Sequence, residues 1–228
     1  MTGPARTAPG EGAAPPHALP VPIHRHLLVV AAVCGVGTVV LAMAVAGQSG
    51  APGPDATVAG WVEAHEPMPY QVAQALDVVG TAPVATTLAV VVAAACLFAR
   101  HRRGAVLALA GPALAVAVTS VLKPLVGRTI HGDNLAFPSG HAAVATAIVV
   151  TAALAVAGAA RLRAPGALTL VLGAAVVGGG AMALGQVTLM AHYPSDTVGG
   201  FAVAFCVVVL TGQVVDLVVD GRTRRRQR

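Results

Sequence analysis

The chain has 228 residues, of which 56% are hydrophobic and only 10% are charged. This composition excludes a water-soluble domain and predicts an integral membrane protein. The net charge of +5 does not predict nucleic-acid binding, because the positive residues lie in short clusters between apolar runs. The three cysteines lie within apolar runs, so we expect them to be packing residues rather than part of a disulfide or a metal site.

The N-terminal residues 1–22 are rich in Pro, Ala and Gly, and we expect a disordered cytoplasmic tail. The first apolar run, residues 27–47, is long enough to cross a membrane, since about 20 helical residues cover a core of ~30 Å. A signal peptide is the alternative, because residues 44–46 resemble a small-residue cleavage site. In either case the next segment starts outside.

Five more apolar segments follow a loop at residues 48–69, in which residues 55–66 are compatible with a short helix. An amphipathic stretch at 71–79 either lies at the membrane interface or begins the second span, which continues to residue 99. Polar or basic clusters separate the remaining apolar runs from one another. The last four spans are expected at about residues 105–122, 141–160, 166–190 and 197–219.

The fold class predicted is all-α, an integral membrane bundle of six transmembrane helices over residues 23–220, followed by a basic cytoplasmic tail at 221–228. Six spans place both termini on one side, and most of the lysines and arginines then lie on that side, which the positive-inside rule makes the cytoplasm. Lys123 and Arg128 are the exceptions, and they flank the loop that leads to Ser139. We therefore expect a multi-pass plasma membrane protein with an extracytoplasmic site.

The stretch Phe137 to His141 begins an apolar helix and has the residue types of an anion pocket. The unpaired N–H groups at a helix start attract anions, and the helix dipole adds to that attraction. Pro138 suits the first helical position, and Gly140 lets a ligand approach the backbone closely. Ser139 can donate a hydrogen bond, and His141 can exchange a proton near neutral pH. An ordinary helix cap with a chance histidine is the alternative.

His192 and Asp196 are four residues apart at the expected start of the sixth span, so both side chains can lie on one side of the helix. A carboxylate that accepts from one imidazole nitrogen leaves the other nitrogen a better nucleophile or base. The alternative is a surface histidine beside an aspartate that the helix dipole favours. This pair, the helix start at Ser139 and the cluster from Lys123 to Arg128 are expected at one membrane depth.

Together, these clusters resemble the type 2 phosphatidic acid phosphatase family, which shares its fold with the vanadium haloperoxidases. The resemblance covers residues of roughly 105 to 215 and rests on three motifs. The motif P-S-G-H matches in full at residues 138–141, and H-x3-D matches at His192 and Asp196. Lys123 matches the start of K-x6-R-P.

The resemblance implies a role for each matched residue. His192 would be the nucleophile that forms a phosphohistidine, and Asp196 would orient it. His141 would protonate the leaving group. The residues implied to hold phosphate oxygens are Lys123, Ser139 and Gly140.

Two arginines that the family uses to bind phosphate are missing from this chain. Ile130 and His131 stand where the first motif has Arg-Pro, and Gly185 and Gln186 stand where the third has Ser-Arg. Arg128 could supply one charge, His131 another if protonated, and Gln186 one neutral hydrogen bond. Each ~1.4 kcal/mol of transition-state contact that is lost costs about tenfold in rate.

The resulting prediction is a metal-independent phosphatase without a cofactor, acting on a lipid phosphate or diphosphate at the outer face of the bilayer. No residue set has the spacing of a metal site. The missing arginines motivate an alternative, a catalytically impaired relative that binds or transports lipid. The sequence leaves open the oligomeric state and the lipid, which could be a polyprenyl phosphate or diphosphate, phosphatidic acid or phosphatidylglycerol phosphate.

Overall fold

The computed structural model describes residues 16–226 and confirms the predicted all-α bundle. Residues 1–15 of the expected N-terminal tail and residues 227–228 of the basic tail lie outside the described part of the chain. The helices are α1 His24–Val45, α2 Pro54–His65, α3 Tyr70–Gly80, α4 Ala82–Phe98, α5 Arg102–Val126, α6 Gly140–Ala159, α7 Ala164–Ala174, α8 Gly180–Thr188 and α9 Pro194–Arg226. Short elements complete the description: a 3-10 turn at Val21–Ile23, a π-helical segment at Ala175–Gly179, and an antiparallel pair of strands, β1 Thr129–Ile130 and β2 Asn134–Leu135.

Five stretches of helix are long and apolar enough to cross a membrane, and a bent pair of helices makes a sixth if the pair is counted as one span. The predicted number of six spans agrees with the second count. Several apolar helices of this length make the chain a multi-pass membrane protein. The stretches are Val21–Val45, Arg102–Val126, Gly140–Ala159, Ala164–Thr188 and Pro194–Arg225, and the bent pair is α3 with α4.

The bend between α3 and α4 is 69°, and local sequence explains it. Thr81 is extended, with φ −67° and ψ 149°, so the helical path stops at Gly80. Pro83 then occupies the first turn of α4, where its missing N–H costs no intrahelical hydrogen bond. As a result α3 leaves the line of α4 and packs against α8.

The centre of the bundle is formed by α5, α6 and α9, with α1 packed on α9. Small residues on the facing surfaces of these helices let the backbones approach closely, which is the usual basis of helix association in membranes. The largest buried side chains of the core fill the spaces that remain. They include Leu27, Leu107, Val150, Leu154 and Phe205.

The described part of the expected N-terminal tail, residues 16–22, is packed against the bundle. Ala18 and Leu19 are buried, and their backbone N–H groups donate to the two carboxylate oxygens of Asp216 at 2.9 and 3.0 Å. Arg103 donates to the same carboxylate at 2.9 Å. Residues 16–22 are therefore ordered, contrary to the expected disorder. The composition of this segment could not reveal that Asp216 on α9 accepts hydrogen bonds from it. Helix α9 also continues through the expected basic tail as far as Arg226.

Candidate active site

The loop between α5 and α6 lies at one end of the bundle, which we call the site end, and it folds back over the end of α5. Gly127 closes α5 in the left-handed conformation, with φ +65°. The chain then forms the β1–β2 hairpin, which brings the Leu135 carbonyl to Lys123, whose Nζ donates to it at 2.7 Å. One of the three N–H donors of the ammonium is used in this way.

Helix α6 begins two residues later than it would with Pro138 in its first position. Ser139 is the N-cap, since its Oγ accepts from Ala142 N at 3.3 Å, and α6 starts at Gly140. Pro138 therefore precedes the cap instead of occupying the first helical position, so that prediction is wrong. Ser139 is fully buried. Its backbone N–H donates to the carbonyl oxygen of Asp196 at 2.9 Å, which joins the start of α6 to the start of α9.

A glycine of α9 makes this junction tight. A Cβ atom added to Gly200 would overlap the carbonyl oxygen of Ser139. Only a residue without a side chain lets the backbone of the P-S-G-H stretch rest on α9. Two motifs that are about 50 residues apart in sequence are therefore in direct backbone contact.

The structure places His192 and Asp196 together, as their spacing predicts. His192 Nδ1 lies 3.6 Å from Asp196 Oδ2, and Asp196 is fully buried in the first turn of α9. The same carboxylate oxygen accepts from Tyr193 N at 3.0 Å, which fixes its orientation. Imidazole nitrogen Nδ1 faces the carboxylate, so Nε2 is the nitrogen left for chemistry.

His141 lies in the first turn of α6, with its side chain one-third exposed. Three titratable groups act electrostatically on it, Asp77, His192 and Lys123, and they come from three different parts of the chain. Two imidazoles, an ammonium and the first-turn N–H groups of α6 are thus gathered at the site end.

The family model described as PAP2 superfamily matches residues 104–219, which is about half of the chain. The chain belongs to the PAP2 superfamily. No curated protein and no solved structure matches it. PAP2 is a phosphatase superfamily, which supports hydrolysis of a phosphoester, and the matched region contains Lys123, His141, His192 and Asp196. Helices α1 to α4 lie outside that region.

In this PAP2 superfamily member, Arg128 is not placed as a free phosphate ligand, and this prediction is corrected. The side chain is fully buried. Its Nη1 donates to Asp196 Oδ1 at 2.8 Å and to Ser195 Oγ at 2.6 Å, and its Nη2 donates to Asp55 Oδ2 at 2.6 Å. Two carboxylates therefore neutralise the guanidinium, and its direct contact with Asp196 makes it a support for the motif.

Asp55, on α2, is a site-end residue that the sequence analysis missed. Its two oxygens accept from Ser195 N at 2.8 Å and Ser195 Oγ at 2.6 Å, in addition to the bond from Arg128. Burial favours the neutral acid, but the hydrogen bonds from Ser195 and Arg128 outweigh it and hold the pKa of Asp55 below its ordinary value. The only feature of the sequence that pointed to Asp55 was an acidic residue directly after Pro54, at the start of a possible short helix.

Asp77, on α3, is the second missed residue. It lies in the amphipathic stretch that was expected either at the membrane interface or at the start of the second span. Its Oδ1 lies 3.4 Å from His141 Nε2 and accepts from Gln186 Nε2 at 2.9 Å. Gln186 is 1% exposed, so its amide is directed at Asp77 in a buried position. An ionisable residue at the start of a span is a functional candidate, and this rule could have identified Asp77.

His131 connects two loops of the site end. Its Nε2 lies 2.8 Å from the carbonyl oxygen of Met190, which makes Nε2 the donor. The residue itself is exposed, on the hairpin turn. This hydrogen bond connects the hairpin to the loop that carries His192, and a charge from His131 on phosphate stays a prediction.

An apolar groove of about 380 Å³ runs between α4, α5 and α6 and reaches the start of α6. Its lining includes Ala89 and Leu109, and Gly140 and His141 line it at the start of α6. No heavy atom would lie within 4 Å of a Cβ atom on Gly140, so the space in front of the first turn is open. Among residues 16–226, no group of three or more His, Cys, Asp or Glu side chains is placed to hold a metal ion.

Proposed function

We propose that the protein is a lipid phosphate phosphatase that works through a phosphohistidine. The observation that carries this proposal is the backbone contact of Ser139 with Asp196 and Gly200. This contact joins the start of α6, which carries His141, to the start of α9, which His192 precedes. A nucleophile with an orienting carboxylate and a second group able to donate a proton are the two requirements of such a reaction.

The proposed reaction has two steps. Nε2 of His192 attacks phosphorus in line, the bond from phosphorus to the leaving oxygen breaks, and His141 gives that oxygen a proton. Water then attacks the phosphohistidine while His141, now neutral, accepts a proton from it. This releases inorganic phosphate and restores both imidazoles. Asp196 stabilises the positive charge that develops on His192.

The transferring phosphoryl group needs positive charge and N–H donors around it. We assign these roles to Lys123, which has two further donors beyond its bond to Leu135, and to the N–H groups that begin at Gly140. Ser139 would contribute through the cap that holds this helix start. Arg128 acts indirectly, because it holds Asp196 in place.

A lipid substrate is supported by the apolar groove that ends at His141. A hydrocarbon chain in this groove would place its phosphate at the start of α6 without leaving the bilayer. The distribution of lysine and arginine along the sequence favours the extracytoplasmic leaflet, with both termini in the cytoplasm.

The test is phosphate release by the purified protein from a panel of polyprenyl phosphates, polyprenyl diphosphates, phosphatidic acid and phosphatidylglycerol phosphate. We expect activity on at least one lipid, unchanged by EDTA, and its loss in His192→Ala. His65→Ala is the matched control, because His65 lies on α2, where it stacks on Trp61. Wild-type turnover in His192→Ala would contradict the mechanism.

A second function is favoured by one specific observation, the shortage of free positive charge at the site end. The charge of Arg128 is neutralised, and Asp77 adds a negative charge beside His141. A protein that binds or moves lipid phosphates without hydrolysing them would account for this balance. It would bind lipid phosphates in detergent but release no phosphate from any lipid of the panel.

A further inference from the structure

Helix α3 presents a shaped surface to one edge of the His141 imidazole. Asp77 Oδ1 lies 3.4 Å from Nε2, and a Cβ atom on Gly80 would overlap the neighbouring ring atom Cδ2. Both contacts fall on the same edge of the ring. The absence of a side chain at Gly80 therefore makes room for His141 where Asp77 can receive it.

The Asp77 carboxylate is also held by a side chain of α8. Gln186 Nε2 donates to Oδ1 at 2.9 Å, and Gln186 is buried in α8. An amide at position 186 can hold a carboxylate without neutralising it, because it has no charge. Asp77 thus keeps its negative charge available to the imidazole.

We propose that Asp77 is the positioning residue of His141. In this proposal Gln186 does not bind phosphate but holds Asp77, and the Asp77–Gln186 pair orients the general acid. Nε2 is the ring nitrogen nearer to Asp77, at 3.4 Å from Oδ1, so in this proposal Nε2 carries the proton that faces the carboxylate and Nδ1 is the nitrogen that gives a proton to the leaving oxygen and takes one from water. This inference rests on the proposed function. It adds a residue from outside the matched segment to the reaction.

Two other titratable groups act electrostatically on His141. Lys123, from α5, repels a charged imidazole, and His192, from the loop before α9, is neutral when it acts as a nucleophile. Asp77 is the group from α3 with the opposite charge. It is therefore the group among these three whose charge attracts a protonated imidazole.

The first experiment compares Asp77→Asn with the wild type in steady-state phosphate release. Removal of the charge while the size is kept should lower kcat at least tenfold and leave KM within about threefold, since the acid is affected more than binding. Asp77→Glu should recover most of kcat. The matched control is Asp133→Asn, which removes a negative charge from the exposed hairpin turn and should leave kcat unchanged.

The second experiment does not need activity. In ¹⁵N-histidine NMR spectra of the detergent-solubilised protein, neutral His141 should carry its proton on Nε2, and Asp77→Asn should abolish this preference. If the wild type shows an Nδ1–H tautomer, the inference is overturned. If the wild type releases no phosphate but shows the expected tautomer, the proposed function fails while the pairing stands. An active Asp77→Asn variant with an unchanged tautomer overturns the inference alone.

Discussion

Arg128 and Asp196 form a fully buried ion pair, in which Nη1 of the guanidinium lies 2.8 Å from Oδ1 of the carboxylate. The other oxygen of this carboxylate, Oδ2, accepts a hydrogen bond from Tyr193 N and lies 3.6 Å from His192 Nδ1. The arginine is therefore linked to the proposed nucleophile through a single carboxylate. Its importance lies in the structure of the site end and not in direct contact with phosphate.

Replacement of Arg128 by Gln should destabilise the protein strongly. The change leaves Asp55 and Asp196 buried without their shared partner, and loss of one partner of a buried pair costs about 3–5 kcal/mol. We expect a clear decrease in Tm by thermal unfolding in detergent. Lys123→Gln is the control, because its ammonium bonds a single carbonyl, and it should alter KM more than Tm. A raised KM with unchanged Tm in Arg128→Gln would restore the phosphate-ligand role.

The Asp55 carboxylate should make stability depend on pH in the acidic range. Its pKa is lower in the folded protein than in the unfolded chain, where an aspartate has a pKa of about 3.9. The stabilisation is therefore complete above that value and is lost as pH falls through the lower pKa of the folded state.

Asp55→Asn provides the measurement of this pH dependence. Its Tm should be lower than that of the wild type at pH 7, and the difference should narrow as the pH falls below about 4. Comparison of the two proteins cancels the titration of the other carboxylates. A difference in Tm that is constant from pH 7 to pH 3 would contradict the assignment.

Much of the site end follows from the sequence, because its chemistry lies in short motifs. The spacing of His192 and Asp196 predicts their pairing at the start of α9, and the P-S-G-H stretch predicts a helix start with His141 in its first turn. Both depend on contacts within one turn of a helix. Local geometry of that kind is fixed by residue type and spacing.

Asp55 and Asp77 could not be placed in the same way. The partners of Asp55 lie 73 and 140 residues away in sequence, and those of Asp77 lie 64 and 109 residues away, so the contacts depend on how α2 and α3 pack. The bend at Thr81 turns α3 toward α8, and an amphipathic pattern does not contain that information. Likewise, the position of Arg128 beside the loop was evident, but its choice of carboxylate partners was not.

Gly140 and Gly200 should respond differently to the same added methyl group. Nothing lies within 4 Å of a Cβ on Gly140, so Gly140→Ala should keep its Tm but raise KM several-fold by filling the space in front of the helix start. In Gly200→Ala the methyl group meets the backbone carbonyl of Ser139, which cannot turn aside. The Tm and the kcat of that variant should both be lower than those of the wild type.

The control for these glycine substitutions is Gly60→Ala, on α2, where a Cβ also meets no atom within 4 Å. Alanine is favoured over glycine in a helix interior by up to about 1 kcal/mol, so its Tm should be equal or slightly higher. Activity should be unchanged. Equal KM values for Gly140→Ala and Gly60→Ala would show that no ligand approaches the backbone at Gly140.

Gln186→Arg tests the charge balance of the site end most directly. If the pocket simply lacked a phosphate-binding charge, the added guanidinium would raise kcat/KM. The structure leads us to expect the reverse, because residue 186 is directed at Asp77, and a charge-assisted bond from arginine would take this carboxylate from His141. We expect a lower kcat with Tm unchanged or raised.

In the double variant with Asp77→Asn the guanidinium is released from its partner, so KM should fall below that of either single variant, and the two effects should be clearly non-additive. Additive effects on kcat and KM would mean that Asp77 and Gln186 act independently, which the 2.9 Å hydrogen bond between them argues against.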